Sequence, residues 1–256
     1  MRYFIEIAYD GHPYHGWQRQ PHSISVQEVL EHALSTLLRC EQALTGAGRT
    51  DAGVHAMQLF AHFDFDENFS NAELKNLQHR LNRFLPESIA VNSILRVTDE
   101  AHARFDACKR RYEYKIHQQK SPFLNKHSYF FEKELDVNLM NTASQYLLGK
   151  QDFKCFSRSN TDVKTYLCDI TEAHWKIEGN LLVFTIAADR FLRNMVRAVV
   201  GTLIEVGLGK LTPSHIKNII ESRERSNAGA SAPAHGLYLT AVEYPQEIFK
   251  VDGRRN

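Results

Sequence analysis

Three residues that could do chemistry stand close together in one glycine-rich segment. The string at residues 46–56 reads GAGRTDAGVHA and carries Arg49, Asp51 and His55. Three glycines within eight residues indicate a tight backbone with torsions or close approaches that side chains would forbid. An aspartate in such a segment can act as a nucleophile. Glycine-rich turns usually carry no chemistry, however, and an Asx-turn explains a loop aspartate more simply.

Other motifs that combine glycine with reactive residues do not fit the chain. A P-loop needs Gly-Lys-Ser/Thr at a fixed spacing, and a dinucleotide fingerprint needs glycine in place of Asp51. The sequence has no Gly-x-Ser-x-Gly elbow. Cys40, Cys108, Cys155 and Cys168 form no Cys-x-x-Cys pair, so they predict free thiols rather than a zinc site or disulfides.

Composition places the chain among ordinary globular proteins. Its 256 residues are 43% hydrophobic and 24% charged, which is enough for one or two cores. No apolar run reaches the roughly 18 residues that span a bilayer, and no signal peptide is evident, so we expect a soluble cytoplasmic protein. A net charge of +1 argues neither for nor against nucleic acid as a partner. Basic residues at 109–111 and at 190, 193 and 197 could bind phosphate or form solvated faces.

The elements that must position the glycine-rich segment follow from hydrophobic periodicity and capping residues. In the first hundred residues they predict the order β-α-β-loop-β-α-β, in which two helices cover one face of a largely antiparallel sheet. Ser25 with Glu28, and Ser70 with Glu73, are capping-box patterns that open the two helices. The predicted strands lie at residues 2–9, just before residue 46, at 59–65 and at 89–97.

The second half repeats this theme loosely. Strands are predicted at 109–117 and 237–244, with a hairpin formed by 167–177 and 181–187. Helices are predicted at 138–148, where Gly149 ends the helix, at 191–206, and from Thr212-Pro213. The Gly- and Ala-rich stretch at 227–236 indicates a flexible connector. We expect an N-terminal α/β domain at 1–100, a C-terminal α/β domain at 101–246 and a tail at 247–256.

Short motifs accompany the glycine-rich segment in order along the chain: YDG at 9–11, YHGWQRQ at 14–20, SVQE at 25–28, ARFDA at 103–107, RRYEY at 110–114, DF at 152–153, MVR at 195–197 and GLYL at 236–239. Together they resemble the tRNA pseudouridine synthase A (TruA) family over nearly the whole chain. One departure is visible, because many members carry Gly-Gln where this chain has Met57-Gln58-Leu59. That difference leaves the packing behind the loop open.

The resemblance implies an α+β pseudouridine synthase fold. Two ferredoxin- or RRM-like halves would form a mixed, mainly antiparallel central sheet flanked by helices, with the catalytic cleft between the halves. The implied activity isomerises uridine to pseudouridine at positions 38, 39 and 40 in the anticodon stem-loop of tRNA. The reaction gains no atoms, so the resemblance implies no cofactor and no metal. It also implies a homodimer.

The resemblance also assigns roles to residues. Asp51 is implied as the nucleophile, Arg197 as its cationic partner, and Arg49 as the residue that fills the space left by the flipped base. Tyr112 would pack on the uracil and Leu237 would close the pocket.

Other residues are substrate contacts or loop supports. Arg110 and Arg111 would contact phosphate. His55, with Trp17, Gln18 and Arg19, would either line the RNA path or pack the loop.

Two other interpretations remain. A non-catalytic RRM-like RNA-binding module would need the aromatic RNP motif, which we do not find. A hydrolase or phosphatase with Asp51 as nucleophile would normally need a metal or a second catalytic carboxylate, and none is suitably spaced.

Overall fold

The structure is a computed structural model that describes residues 1–158 and 163–249. The chain divides into a first unit, Met1–Cys108 with the chain from Leu239 onward, and a second unit, Lys109–Tyr238. The predicted domain boundary near residue 100 differs from this division chiefly at the second crossing, because the chain rejoins the first unit at Leu239. Most of the tail predicted at 247–256 lies outside the described residues.

The first unit is a largely antiparallel sheet with two helices. Its strands are β1 (Arg2–Tyr9), β2 (Thr45–Gly46), β3 (His55–Asp64), β4 (Ile89–Arg96) and the greater part of β10 (Leu237–Glu243). They lie in the order β4-β1-β3-β10, with β2 paired to β3. Ile5 pairs with Ala61 on one side and Ile94 on the other, which places β1 inside the sheet. Along the chain, the elements of the first hundred residues follow the predicted order β-α-β-loop-β-α-β.

Helices α1 (Val26–Leu38) and α2 (Asn71–Phe84) begin where their capping residues predict. The Ser25 hydroxyl accepts the Glu28 N–H at 3.3 Å. At α2 the capping box is complete, because the Glu73 carboxylate also accepts the Ser70 N–H at 2.8 Å. Asn82 of α2 exchanges two hydrogen bonds with the main chain of Val91, at 2.7 and 2.8 Å, and so covers the edge strand β4.

The second unit repeats this plan. Its strands are β5 (Lys109–His117), β6 (Tyr129–Phe130), β7 (Gly149–Asp152), β8 (Leu167–Glu178) and β9 (Leu181–Ala188), and its helices are α3 (Val137–Ser144), α4 (Met195–Gly207) and α5 (His215–Ser222). The strand order is β5-β9-β8-β7, antiparallel throughout, and β6 pairs with β5 in parallel. Asn141 of α3 bonds both main-chain groups of Trp175, as Asn82 does in the first unit.

Two predicted helices are shorter than their hydrophobic patterns. The helix predicted from Phe191 begins at Met195, because Asn194 adopts a left-handed conformation with φ of 65° and the preceding residues form a turn. Just after the end of β9, the Asp189 carboxylate accepts the Arg190 and Asp169 N–H groups at 2.7 and 2.8 Å. The helix predicted to Leu148 ends as α3 at Ser144 and continues as a 3₁₀ turn, Gln145–Leu147. The four cysteines are free thiols, as predicted.

Candidate active site

The glycine-rich loop, residues 46–55, is fixed in the first unit by main-chain hydrogen bonds. The Thr50 carbonyl accepts the Trp17 N–H at 3.2 Å, one residue before Asp51. The Asp51 carbonyl accepts the Val54 N–H at 3.1 Å and closes a β-turn. Gly53 has φ of 76° in that turn, which favours glycine. Because main-chain atoms close this turn, the loop does not need the Asp51 carboxylate to form it.

The segment at residues 14–17 packs directly against the back of the loop. Gly16 has φ of 91°, and a Cβ there would lie 2.5 Å from the Thr50 carbonyl oxygen. Trp17 is 1% exposed, and its indole lies against Gly46, where a Cβ would meet Nε1 at 2.5 Å. Of the two roles open for Trp17, the structure therefore supports packing of the loop. Asp51, next to Thr50, is half-buried.

Two buried polar contacts support the loop from below. The hydroxyls of Thr50 and Tyr9 lie 2.8 Å apart. The His55 ring is 2% exposed, and its Nδ1 lies 3.2 Å from the Gly11 nitrogen and 3.0 Å from Asp10 Oδ1. Without a hydrogen, Nδ1 accepts the Gly11 N–H, and with a hydrogen it donates to Asp10. This placement favours loop packing for His55 over the predicted contact with RNA.

A polar network behind the loop was not predicted from the sequence. The side-chain oxygen of Gln27, on α1, accepts hydrogen bonds from the Gln18 side chain at 2.8 Å and from the Arg19 N–H at 2.9 Å. Its side-chain nitrogen donates to Glu31 and to the Leu44 carbonyl, both at 2.9 Å. Glu31 in turn accepts the Leu44 N–H at 3.0 Å. The network ties α1 to both segments that flank the loop. Its signal in the sequence is a polar pair at i and i+4 on the buried face of α1.

The departure at Met57-Gln58 leaves this packing intact. Gln58 donates to Glu6 at 3.0 Å and accepts the Val242 N–H at 3.0 Å, so it joins β1, β3 and β10. Met57 is 53% exposed. The residue that replaces glycine therefore lies on the outer side of β3.

Arg49 extends from the loop into solvent. Across residues 1–158 and 163–249, its side chain makes no hydrogen bond and no ion pair. That argues against a surface salt bridge as the role of Arg49. The guanidinium is available for a phosphate or a base.

In the second unit, Arg197 lies in the first turn of α4 and is held by main-chain bonds. Its Nε donates to the Ala232 carbonyl at 2.7 Å, and its own carbonyl accepts the Ala232 N–H at 2.9 Å. We call residues 228–233 the strap, because this segment runs across α4. At Gly201 the strap comes so close that a Cβ would lie 1.7 Å from the Ala230 oxygen.

The strap is braced at both ends, so the prediction of a flexible connector at 227–236 was wrong. Arg225 donates to the Gly229 carbonyl and the Ser231 hydroxyl, both at 3.0 Å, and the Gly229 N–H donates to Thr202 at 2.9 Å. The Tyr114 hydroxyl donates to the Pro233 carbonyl at 2.8 Å. Burial raises the pKa of Tyr114 well above its ordinary value, so this donor stays protonated.

The remaining predicted residues of the second unit lie on β5 and at the start of β10. The Tyr112 ring meets the Phe191 ring edge to face, with centroids 5.1 Å apart. Arg110 donates to the Asp189 carbonyl at 3.0 Å, and Arg111 pairs with Glu172 at 2.7 Å. Leu237 is buried. Each unit thus holds an ionisable residue, Asp51 or Arg197, in a fixed main-chain setting.

Comparison with known proteins identifies the family. The family model described as tRNA pseudouridine synthase matches residues 6–106 and 143–245. The tRNA pseudouridine synthases A of Bacteroides fragilis and Parabacteroides distasonis are 51% and 49% identical, each over 98% of this chain and 99% of their own length. The same enzyme of Francisella tularensis is 40% identical over 97% of this chain and 96% of its own.

None of the helices in the described part of the chain is both long and apolar enough to cross a membrane. The matches cover more than half of the chain with the family model and nearly all of it with the relatives. The α+β architecture with mainly antiparallel sheets agrees with the pseudouridine synthase fold. The chain therefore belongs to the tRNA pseudouridine synthase family and is an isomerase that acts on uridine in tRNA.

Proposed function

We propose that this enzyme isomerises uridines 38, 39 and 40 in the anticodon stem-loop of tRNA, with Asp51 as its nucleophile. The observation that carries the proposal is the main-chain clamp on both sides of Asp51, formed by the Thr50 carbonyl and the turn to Val54. A reactive group accelerates a reaction most when its position is fixed before the substrate binds. The clamp fixes the backbone of Asp51 without using its carboxylate to close the turn.

The proposed reaction balances without a co-reactant. The Asp51 carboxylate attacks the uridine, the N1–C1′ bond breaks, and the uracil rotates. C5 then bonds to C1′ and the bond to Asp51 breaks, which frees the carboxylate. The hydrogen on C5 leaves as a proton, and N1 takes up a proton. A carboxylate suits both halves of this sequence, because it is a modest nucleophile and a competent leaving group.

We assign Arg197 as the cation that keeps Asp51 ionised, since an adjacent positive charge favours the charged form of a carboxylate. The two bonds between Arg197 and Ala232 support this role by fixing both the backbone and the Nε edge of the guanidinium. Arg197→Ala should abolish turnover, and Arg197→Lys should restore only part of it because the Nε bond is lost. Unchanged turnover by Arg197→Ala would exclude this role.

A uridine inside an RNA fold must leave its stack to react, at a cost of a few kcal/mol. We assign Arg49 to the space that the base vacates, because its exposed side chain has no partner among the described residues. We assign Tyr112 to stacking on the uracil, which is worth roughly 1–3 kcal/mol per base. Arg49→Ala should keep the fold and lose most activity, whereas normal turnover by this variant would exclude the role.

The central test is tritium release from tRNA transcripts that carry 5-tritiated uridine. Wild type should release tritium, and both Asp51→Ala and the nearly isosteric Asp51→Asn should release none. Transcripts that keep uridine at only one of positions 38, 39 and 40 then map the target. Release by Asp51→Asn at the wild-type rate would exclude the nucleophile, and release that does not depend on these positions would exclude the stem-loop assignment.

We also propose a cytoplasmic homodimer, which follows from the family resemblance. Light scattering after size-exclusion chromatography tests the dimer directly. A monomer that is fully active at the assay concentration would contradict it.

A further inference from the structure

The exposed face of α2 carries a cluster of basic side chains that the reaction does not use. Lys75, His79, Arg80 and Arg83 follow a spacing that places them on one side of the helix, and all four are exposed. The opposite side of α2 buries three leucines. We call the four basic residues, together with Phe84, the α2 patch.

Three cations of the α2 patch have no partner among the described residues. In the part of the chain that the structure describes, Lys75, Arg80 and Arg83 make no ion pair and no side-chain hydrogen bond. Other surface cations do find partners, as Arg111 does with Glu172 at 2.7 Å. The helix dipole accounts for a cation in the last turn, such as Arg83, but its effect fades within one turn and does not explain Lys75.

An aromatic ring lies among these cations. Phe84 is 46% exposed, and its ring contacts the His32 ring of α1 with centroids 6.0 Å apart. Leu37 of α1, with His79, Arg80, Arg83 and Phe84 of α2, lines an open groove of about 350 Å³. A groove with guanidinium groups and an exposed ring fits a nucleic-acid backbone, because arginine binds phosphate and the ring packs on a base or a sugar.

The groove lies at the far end of α1 from the glycine-rich loop. Val26, at the start of α1, donates to the Gly16 carbonyl, and Gly16 packs on Thr50. Leu37 stands eleven residues further along the same helix, a rise of about 16 Å. An RNA segment in the groove is therefore not the reacting uridine. Lys75 and Arg83 lie about 12 Å apart along α2. Because of this separation, the patch fits several phosphates of a nucleic-acid backbone better than one small anion.

We propose that the α2 patch binds the phosphate backbone of the substrate tRNA at a site remote from the isomerised uridine. This rests on the proposed function only in taking tRNA as the substrate. The patch contributes affinity and salt dependence but does not touch the reacting atoms. Its loss should therefore raise the Kd and KM for tRNA and leave kcat at saturating tRNA unchanged.

The test compares wild type with the double variant Arg80→Gln/Arg83→Gln. The Kd for a full-length tRNA transcript is measured over a series of salt concentrations, and kcat is measured at saturating tRNA. Two lost phosphate contacts should weaken binding about tenfold at moderate salt and lower the slope of log Kd against log salt by about 1.5 to 2. The matched control is Lys210→Gln/Lys217→Gln, which removes two exposed charges from the second unit and should change neither quantity by more than about twofold.

Three outcomes would overturn the proposal. The first is an unchanged Kd and salt slope in the arginine variant, and the second is an equal change in the control variant. The third is a change in oligomeric state that accounts for the weaker binding, which would mark the patch as a protein interface. Thermal unfolding checks that both variants fold, which their exposure favours. A wild type that binds tRNA with this patch but releases no tritium would defeat the proposed function and leave this inference standing.

Discussion

Gly201→Ala should disable the enzyme more than it destabilises the fold. Real Cβ atoms do not come within 3.0 Å of such neighbours, yet a Cβ at residue 201 would stand 1.7 Å from the Ala230 oxygen. The strap must therefore retreat by about 1.3 Å, because its clashing atoms are main chain and cannot rotate away. The strap carries Ala232, whose carbonyl orients the Arg197 guanidinium.

The two effects of this substitution differ in size. Overpacking costs about 1–3 kcal/mol, and the weakened bonds of Gly229 and Ala232 to α4 add to it at about 1 kcal/mol each. Alanine recovers about 1 kcal/mol in helix propensity. A domain with about 5–15 kcal/mol of stability still folds after that loss. A displacement of about 1 Å near the chemistry costs about a hundredfold in rate.

The assay is tritium release under saturating tRNA, with thermal unfolding measured in parallel. Gly207→Ala on the same helix is the matched control. Its Cβ would meet Met140 Sδ at 2.6 Å, Met140 Cγ at 2.9 Å and Leu135 Cδ2 at 3.2 Å, which are all side-chain atoms and not main chain. We expect kcat to fall about a hundredfold in Gly201→Ala and to stay within about twofold of wild type in Gly207→Ala. Wild-type kcat in a folded Gly201→Ala enzyme would refute the positioning role of the strap.

Three further predictions concern other elements. Tyr112→Phe should keep the wild-type KM for tRNA because stacking survives, whereas Tyr112→Ala should raise that KM about tenfold or more. Equal KM values for the two variants in tritium-release kinetics would contradict the stacking role. Burial, reinforced by the charges of Arg2 and His102, lowers the pKa of His62 to about 4. The unfolded state therefore binds this proton first, and the free energy of unfolding should fall with pH from about 6.5 to about 4, at up to about 1.4 kcal/mol per pH unit. Urea unfolding of His62→Gln should show a smaller loss of unfolding free energy between pH 6.5 and 4. The same loss in wild type and variant would refute the attribution to His62. Gly48→Ala should leave thermal stability unchanged, because no described atom other than those of its chain neighbours lies within 4 Å of its Cβ position. The same variant should raise the KM for tRNA, because the RNA approaches the loop there. An unchanged KM would show that the loop tolerates a side chain at residue 48.

Local patterns predicted most of the fold correctly. β1 and β5 have the predicted bounds, and β8 and β9 each extend one residue further than predicted at their C-terminal ends. These elements carry long runs of apolar or alternating residues, so their neighbours in sequence determine them. β6 and β7 have only two and four residues, which is too short for a period to be visible.

The errors arise where distant residues determine a local conformation. Composition suggested that residues 227–236 were flexible, but Thr202 and Arg225 bind the strap from outside it. The start of α4 was misplaced because Asn194, whose side chain donates to Ser231 of the strap, adopts a left-handed conformation just before it. The Gln27 network was missed for the same reason, since its bonds depend on which face of α1 is buried.

The glycine-rich loop was recognisable because the glycines that allow its close packing lie within a short stretch of sequence. The strap packs on α4 in the same way, but a single glycine marks the contact. Asp51 and Arg197 are both held by main-chain bonds to a neighbouring segment, and such bonds require two backbones to approach closely. Gly16 permits that approach at the loop and Gly201 permits it at α4. A glycine inside a helix costs about 1 kcal/mol relative to alanine. Gly201, one turn after Arg197 in an otherwise apolar helix, was therefore itself evidence that another segment crosses α4 at that point.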